Sequence, residues 1–106
     1  MQKYKIVYTP RALKELKDIF ELILIGYTNL FAATSLIAKI RKKCEDLSFA
    51  PKASAVVADI RGYEFRFSRV KNFTIIYYID DNNVVNVVSV QYSRRDILTQ
   101  IKNGDI

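Results

Sequence analysis

The stretch FTIIYYID, residues 73–80, decides how this sequence folds. A half-buried strand alternates apolar and polar residues with a period of two. This stretch instead places apolar residues on both faces, as strands in the middle of a sheet do. Residues 73–80 are therefore predicted to form a central strand.

Two further strands are predicted around it. In the preceding strand Tyr63, Phe65 and Phe67 alternate with polar residues, and a turn at Lys71 and Asn72 leads into residues 73–80. The turn-forming cluster of residues 80–83 then leads into a strand over residues 84–91. Together the three strands form an antiparallel meander.

The N-terminal half predicts one strand and a helical hairpin. Residues 3–8 alternate as a half-buried strand, after which Thr9 is a good N-cap and Pro10 suits the first helical turn. Apolar residues at spacings of three and four indicate one helix ending near Gly26 and a second capped by Thr28 or Asn29. Residues 51–58 are predicted to be a loop.

This order predicts an α+β fold of two layers in a single domain, residues 1–106. A helical hairpin lies over the antiparallel sheet, and a short C-terminal helix follows it. The N-terminal strand joins the meander at an edge or inserts into it, and both arrangements stay open. The hairpin is expected to cover Tyr63, Phe65 and Phe67, in preference to an exposed platform for stacking nucleic-acid bases.

Composition limits the partners and the chemistry. The net charge of +6 indicates an anionic partner. A single Cys44 and an N-terminus without a signal-peptide core favour a reducing cytoplasm as the compartment of this protein. The longest apolar run is too short to cross a bilayer, so no membrane partner is expected. The absence of His and of a glycine-rich phosphate loop predicts no metal, no cofactor and no small-molecule substrate.

Candidate site residues lie at the end of the last strand, in VVSVQYSRRDI, residues 87–97. Ser93 and Asp96 have the spacing of a helix capping box, which places Arg94 and Arg95 in the first helical turn. Cations there cost about 0.3–1 kcal/mol each, because the helix N-terminus already carries partial positive charge.

The costly placement favours an anion site, in which the two arginines act with free backbone N–H groups of the helix start. Arg66, Arg69 and Lys71 are expected nearby. The alternative is that these are solvated surface charges, or that one arginine pairs with a carboxylate. Tyr92 either exchanges a proton with a ribose 2′-hydroxyl, stacks on a base, or simply closes the core.

The whole chain resembles the RelE/ParE superfamily of toxins from bacterial type II toxin–antitoxin operons. The stretch YKIVYTPRALKELKDIFELI is similar to the opening strand and first helix of that superfamily. The stretch FRFSRVKNFTIIYYIDDNNVVNVVSVQYSRRDIL resembles its closing meander, with the Arg-Arg-Asp ending as the most specific part. The resemblance implies a toxin that arrests growth and is silenced by an acidic antitoxin.

The superfamily contains two activities, and the resemblance leaves both open. RelE-like members are metal-independent endoribonucleases that cut mRNA in the ribosome, and ParE-like members inhibit DNA gyrase without cutting nucleic acid. In a nuclease, Arg66, Arg94 and Arg95 would hold the phosphate, Lys71 would assist and Tyr92 would carry the proton.

Three positions depart from the nuclease pattern. Thr74 stands where RelE-like nucleases place an arginine, and Phe65 and Phe67 stand on or beside the positions of their lysines. A third function, that of a non-toxic RNA-binding or translational accessory domain, would use the same basic residues.

Overall fold

A computed structural model describes residues 3–92 and 97–104 of the chain. In that part it has the predicted α+β fold. The elements in chain order are β1 (Lys5–Tyr8), α1 (Pro10–Tyr27), α2 (Leu30–Asp46), β2 (Val56–Ile60), β3 (Tyr63–Val70), β4 (Phe73–Ile79), β5 (Val84–Tyr92) and α3 (Ile97–Lys102).

The strands form one sheet in the order β1-β5-β4-β3-β2. β1 lies at the edge and pairs in parallel with β5, which decides between the two arrangements left open above. Strand β2 was not predicted from the sequence, since residues 56–58 were expected to belong to a loop. The strand pairs antiparallel with β3, with an irregularity between Val56 and Ala58. Its sequence VVADI contains Ala and Asp, which are depleted in strands, so its tendency to form one is weak.

Both hairpin helices begin at the predicted caps. The Thr9 hydroxyl accepts a hydrogen bond from Ala12 N at 3.2 Å, and the Asn29 side chain accepts one from Ala32 N at 3.0 Å. Thr28 takes the left-handed conformation with φ 50°, which reverses the chain between the helices. Asn29, and not Thr28, is therefore the cap of α2.

Two hydrophobic clusters lie on opposite faces of the sheet. The larger packs the hairpin against β4 and β5 through Leu16, Ile40, Ile75 and Val87, among others. It also contains Cys44, which is fully buried as expected, and burial raises the pKa of its thiol to about 12. Its thiol is therefore protonated at neutral pH and unreactive.

The second cluster corrects the expected position of the aromatic residues of β3. Phe65 is buried with Ile76, Val88, Ile97 and Ile101, and Phe67 packs against the same group. The prediction that the hairpin covers these rings is wrong, since α3 covers their face instead. The alternation of residues in β3 predicts which side chains share a face of the sheet. It does not predict whether that face packs against the hairpin or against α3.

The free edge of β5 is closed by a side chain of α1. β1 pairs with β5 only from Val84 to Val87. Farther along, the Glu15 carboxylate accepts hydrogen bonds from Val90 N at 3.0 Å and from the Ser89 hydroxyl at 2.7 Å. Glu15 thus satisfies a backbone donor that a longer β1 would otherwise have paired.

Thr9 joins α1 to the sheet, and its replacement tests that junction. Besides capping α1, its hydroxyl donates to the Val88 carbonyl at 3.2 Å. We expect Thr9→Ala to lower the free energy of unfolding by about 1–2 kcal/mol, measured by urea denaturation, because both bonds are lost. Thr9→Ser keeps the hydroxyl and should cost less than half as much. Equal losses in the two variants would show that the methyl group matters and not the cap.

Candidate anion-binding site

The turn between β3 and β4 and the end of β5 lie at the same end of the sheet. Val70 pairs with Phe73, which in turn pairs with Tyr92, and Arg69 pairs with Thr74 one position earlier. Lys71 follows Val70 directly, in the left-handed conformation with φ 52°. Arg69 and Lys71 are exposed and, with the end of β5 at Tyr92, form the basic end of the sheet.

Tyr92 is placed for contact with a ligand. It is 54% exposed, and its ring meets the ring of Phe73 edge-on, with 5.7 Å between centroids. Phe73 itself packs against the hairpin-side cluster. One edge of the tyrosine ring therefore adds to the core while more than half of the residue remains open to a base, a phosphate or a protein surface.

Arg94 and Arg95 lie outside the described residues, together with the capping residues Ser93 and Asp96. Their role in an anion site stays a prediction. α3 starts directly after them at Ile97, which is 4% exposed and packs on the sheet. The chain on either side of the two arginines is thus anchored at Tyr92 in β5 and at Ile97 in α3.

Arg66 is not brought to the basic end. Its guanidinium donates to the backbone carbonyls of Lys52, at 3.2 Å, and of Ser54, and it lies 3.6 Å from the Glu64 carboxylate. The side chain is only 11% exposed. Arg66 pairs with Tyr77, four residues along β4 from Phe73. At about 3.3 Å per residue, Arg66 therefore lies roughly 13 Å along the strands from the basic end.

The surroundings of Arg66 are acidic. A groove at its end of the sheet is lined by Lys52 and by four carboxylates of the β2–β3 and β4–β5 hairpins, Asp59, Glu64, Asp80 and Asp81, so that acidic groups outnumber the cations. Hydrogen bonds from the Asn86 amide and from Asn82 N and Val84 N hold the pKa of Asp80 below its usual range, although partial burial opposes this shift. This acidic end faces away from the basic end, because strands β3 and β4 run between them.

Thr74 occupies the position at which the resemblance implies an arginine in nucleases. It is fully buried, and its hydroxyl oxygen has no hydrogen-bond partner among the residues that the structure describes. Phe65 and Phe67, on or beside the positions at which the resemblance implies lysines, belong to the α3-side core. These three positions therefore contribute packing where a phosphate-binding surface would need cations.

Lysines of α2 adjoin the basic end, which sequence analysis missed. Lys39 and Lys71 line one groove, and Lys39, Lys42 and Lys43 line another with Val70. Lys42 forms an ion pair with Asp46 at 3.1 Å, on the same helix face. From the sequence these lysines belong only to a charged, solvated helix face, and the packing of α2 on the sheet reveals their neighbours.

A polar network connects the end of β5 to α3. The Gln91 amide donates to the Ser89 hydroxyl at 2.9 Å and to the Gln100 side chain at 3.0 Å, and Gln100 donates back at 3.3 Å. Gln91 and Gln100 line a groove of about 930 Å³ beside Tyr92, between α1 and the open end of β5. The network fixes the two elements that flank Arg94 and Arg95.

Residues 3–92 and 97–104 contain neither a metal-binding cluster nor a membrane-spanning helix. Within them, no group of three or more His, Cys, Asp or Glu side chains is arranged to hold a metal ion. No helix in the same ranges has the length and apolar character needed to span a membrane.

Residues 6–97 match the family model described as ParE toxin of type II toxin–antitoxin system, parDE. The chain belongs to the ParE toxin family. This membership confirms the predicted superfamily and its function as the toxin component of a type II system. A comparison with curated proteins found no match to this ParE family member.

Solved structures share the fold of this ParE family member. A chain of the chromosomal ParDE system from P. aeruginosa aligns with a TM-score of 0.69 at 11% identity, covering 85% of this chain and 96% of the other. A chain of the RelBE2 toxin–antitoxin complex from Mycobacterium tuberculosis aligns with a TM-score of 0.64 at 18% identity, with coverages of 87% and 93%. The isolated E. coli RelE toxin gives 0.56 at 18% identity, with coverages of 97% and 99%.

Replacing Arg66 and Arg69 separately should distinguish a structural arginine from a surface one. We expect Arg66→Ala to lower the free energy of unfolding by roughly 1–3 kcal/mol, since two loop carbonyls lose a charged donor. Arg69→Ala, at an exposed position three residues away, should change it by less than about 0.5 kcal/mol. Chemical denaturation measures both, and a stable Arg66→Ala protein would contradict the assignment of Arg66 to loop anchoring.

Proposed function

We propose that this toxin arrests growth by inhibiting DNA gyrase and does not cut nucleic acid. The observation that carries the proposal is the position of Arg66, held by loop carbonyls among carboxylates and away from Tyr92. A metal-independent nuclease needs several cations around one phosphate together with a proton carrier. The match to the ParE family model supports the same conclusion.

In this proposal the basic end binds the target, and the protein is not an enzyme. Arg94 and Arg95, together with Arg69 and Lys71, contact phosphates or carboxylates of gyrase or of its bound DNA. Arg66 has a structural role in the loop after α2. The separation of the basic end from the acidic end orients the protein as it approaches an anionic surface.

The second partner is an acidic antitoxin that silences the toxin. The net charge of +6 and the family's place in type II toxin–antitoxin systems support this partner. The lysines of α2 adjoin the basic end, so an acidic segment bound there would also block access to the target. Charge complementarity of this kind speeds association more than it raises affinity.

Tyr92 supports a second candidate, ribosome-dependent mRNA cleavage. The residue is more than half exposed and lies at the basic end, where a phenol could take the 2′-hydroxyl proton. Arg94 and Arg95 would then stabilise the phosphate with help from Lys71. Membership of a toxin family disfavours the third function, that of a non-toxic RNA-binding or translational accessory domain.

Pulse labelling separates the two activities. DNA and protein synthesis are followed in a bacterial host within minutes of inducing the chain alone, and we expect DNA synthesis to stop first. Tyr92→Phe should then remain toxic, because it keeps the ring that packs on Phe73. If protein synthesis stops first and Tyr92→Phe loses roughly 10²-fold or more in cleavage rate, the nuclease is the correct function.

The two arginines before α3 are tested by a double replacement. Arg94→Ala with Arg95→Ala should abolish growth arrest while leaving the melting temperature within a few degrees, as expected if the arginines serve binding and not folding. Lys14→Ala with Lys17→Ala removes the same charge from the exposed face of α1 and is the matched control. A double arginine variant that folds and remains fully toxic would refute the anion site.

A further inference from the structure

The tip of the helical hairpin presents five large apolar side chains to solvent. Each is more than half exposed: Leu22 68%, Ile25 76%, Tyr27 73%, Leu30 60% and Phe31 82%. These five residues, from the end of α1 and the start of α2, form the hairpin tip. Scattered exposed apolar residues are ordinary, but a group concentrated at one end of a protein marks an interaction surface.

The hairpin tip lies in an uncharged stretch of the chain. Residues 22–38 contain no Asp, Glu, Lys or Arg, and the nearest charges in sequence are Glu21 and Lys39. A partner docked on these side chains would desolvate no charge within the stretch, which avoids the largest cost of burying a surface. Within residues 22–38 an acidic partner would gain no ion pair and a second copy would meet no like charge, and the cations of the adjacent groove, Lys39 and Lys71, lie outside this stretch.

The shape beside the hairpin tip suits contact between identical copies. A groove of about 500 Å³ runs next to the projecting rings, with Ile23, Ala32 and Leu36 in its lining and Lys39 and Lys71 at its border. In a two-fold contact each copy uses the same patch both to insert a group and to receive one. The hairpin tip combines a protruding Phe31 with an adjacent groove, as such a contact requires.

We propose that two copies of this chain associate through their hairpin tips into a two-fold dimer, with Phe31 of each copy entering the groove of the other. Lys39 and Lys71 would then lie beside aromatic rings of the opposite copy, a favourable arrangement for an ammonium group. The chain already uses this interaction internally: Lys3 lies 5.4 Å from the Phe49 centroid and Arg41 lies 4.8 Å from that of Tyr8.

The available area indicates a weak, reversible dimer. A buried aromatic side chain removes about 150–250 Å² from water, so Tyr27 and Phe31 together would contribute on the order of 300 Å² per copy. The three aliphatic residues bring the area toward the roughly 800 Å² per partner of a stable interface. A dissociation constant in the micromolar range is expected, with the dimer forming only when no other protein covers the hairpin tip.

Sedimentation velocity of the purified full-length chain, without any partner, tests this dimer. Samples from about 1 to about 200 µM span the expected dissociation constant. The wild type should shift from monomer to dimer across this range and keep the dimer in high salt, because apolar contacts are not screened. Phe31→Ser should weaken dimerisation at least tenfold. Phe49→Ser, at a phenylalanine that is 54% exposed outside the hairpin tip, is the matched control.

Several results would overturn the inference. The first is a wild type that stays monomeric at every concentration. The second is a Phe31→Ser variant that dimerises like the wild type, and the third is a Phe49→Ser variant whose dimerisation is impaired as much as that of Phe31→Ser. Circular dichroism checks that both variants are folded, as expected for exposed positions. The dimer does not depend on the proposed gyrase inhibition, and growth arrest is measured in a separate assay. A negative result for the dimer therefore does not contradict gyrase inhibition, and a negative result for gyrase inhibition does not contradict the dimer.

Discussion

Strand β4 carries apolar side chains on both of its faces, so both faces of the sheet must be shielded from water. Ile75 and Tyr77 face the hairpin, and Ile76 faces α3, with all three fully buried. The hairpin supplies a large cover on one side. On the other side α3 has only six residues, too few to be stable alone, and it persists because Ile97 and Ile101 are buried on the sheet.

This requirement positions the candidate site. α3 must lie against the sheet to protect Ile76 and Phe65, and the polar contact between Gln91 and Gln100 holds it to the last strand. The chain carrying Arg94 and Arg95 is therefore anchored on both sides by elements whose places are set by the core.

Basic and acidic side chains are separated along the direction of the strands, at opposite ends of the sheet. The end of β3 and the turn after it carry Arg69 and Lys71, while the opposite hairpins carry the carboxylates that line the groove of Arg66. Arg66 is consistent with this division, because a nearly buried guanidinium needs acceptors, and it finds them in two backbone carbonyls and Glu64. An arginine so fully engaged inside the fold is poorly suited to release its partners for a phosphate.

Several features of this protein follow from the sequence alone. The caps at Thr9 and Asn29, the central strand in residues 73–80, the buried Cys44 and the superfamily are readable because each depends on neighbouring residues or on their order. Local hydrogen bonds and hydrophobic periodicity carry that information directly.

Other features were decided only by the tertiary structure. They are the edge position of β1, the weak strand β2, the side of the sheet on which Phe65 is buried, and the acidic surroundings of Arg66. Alternation assigns side chains to two faces without naming either face. Strand order, register and covering layers depend on contacts between residues far apart in the chain, and these determine which charges meet.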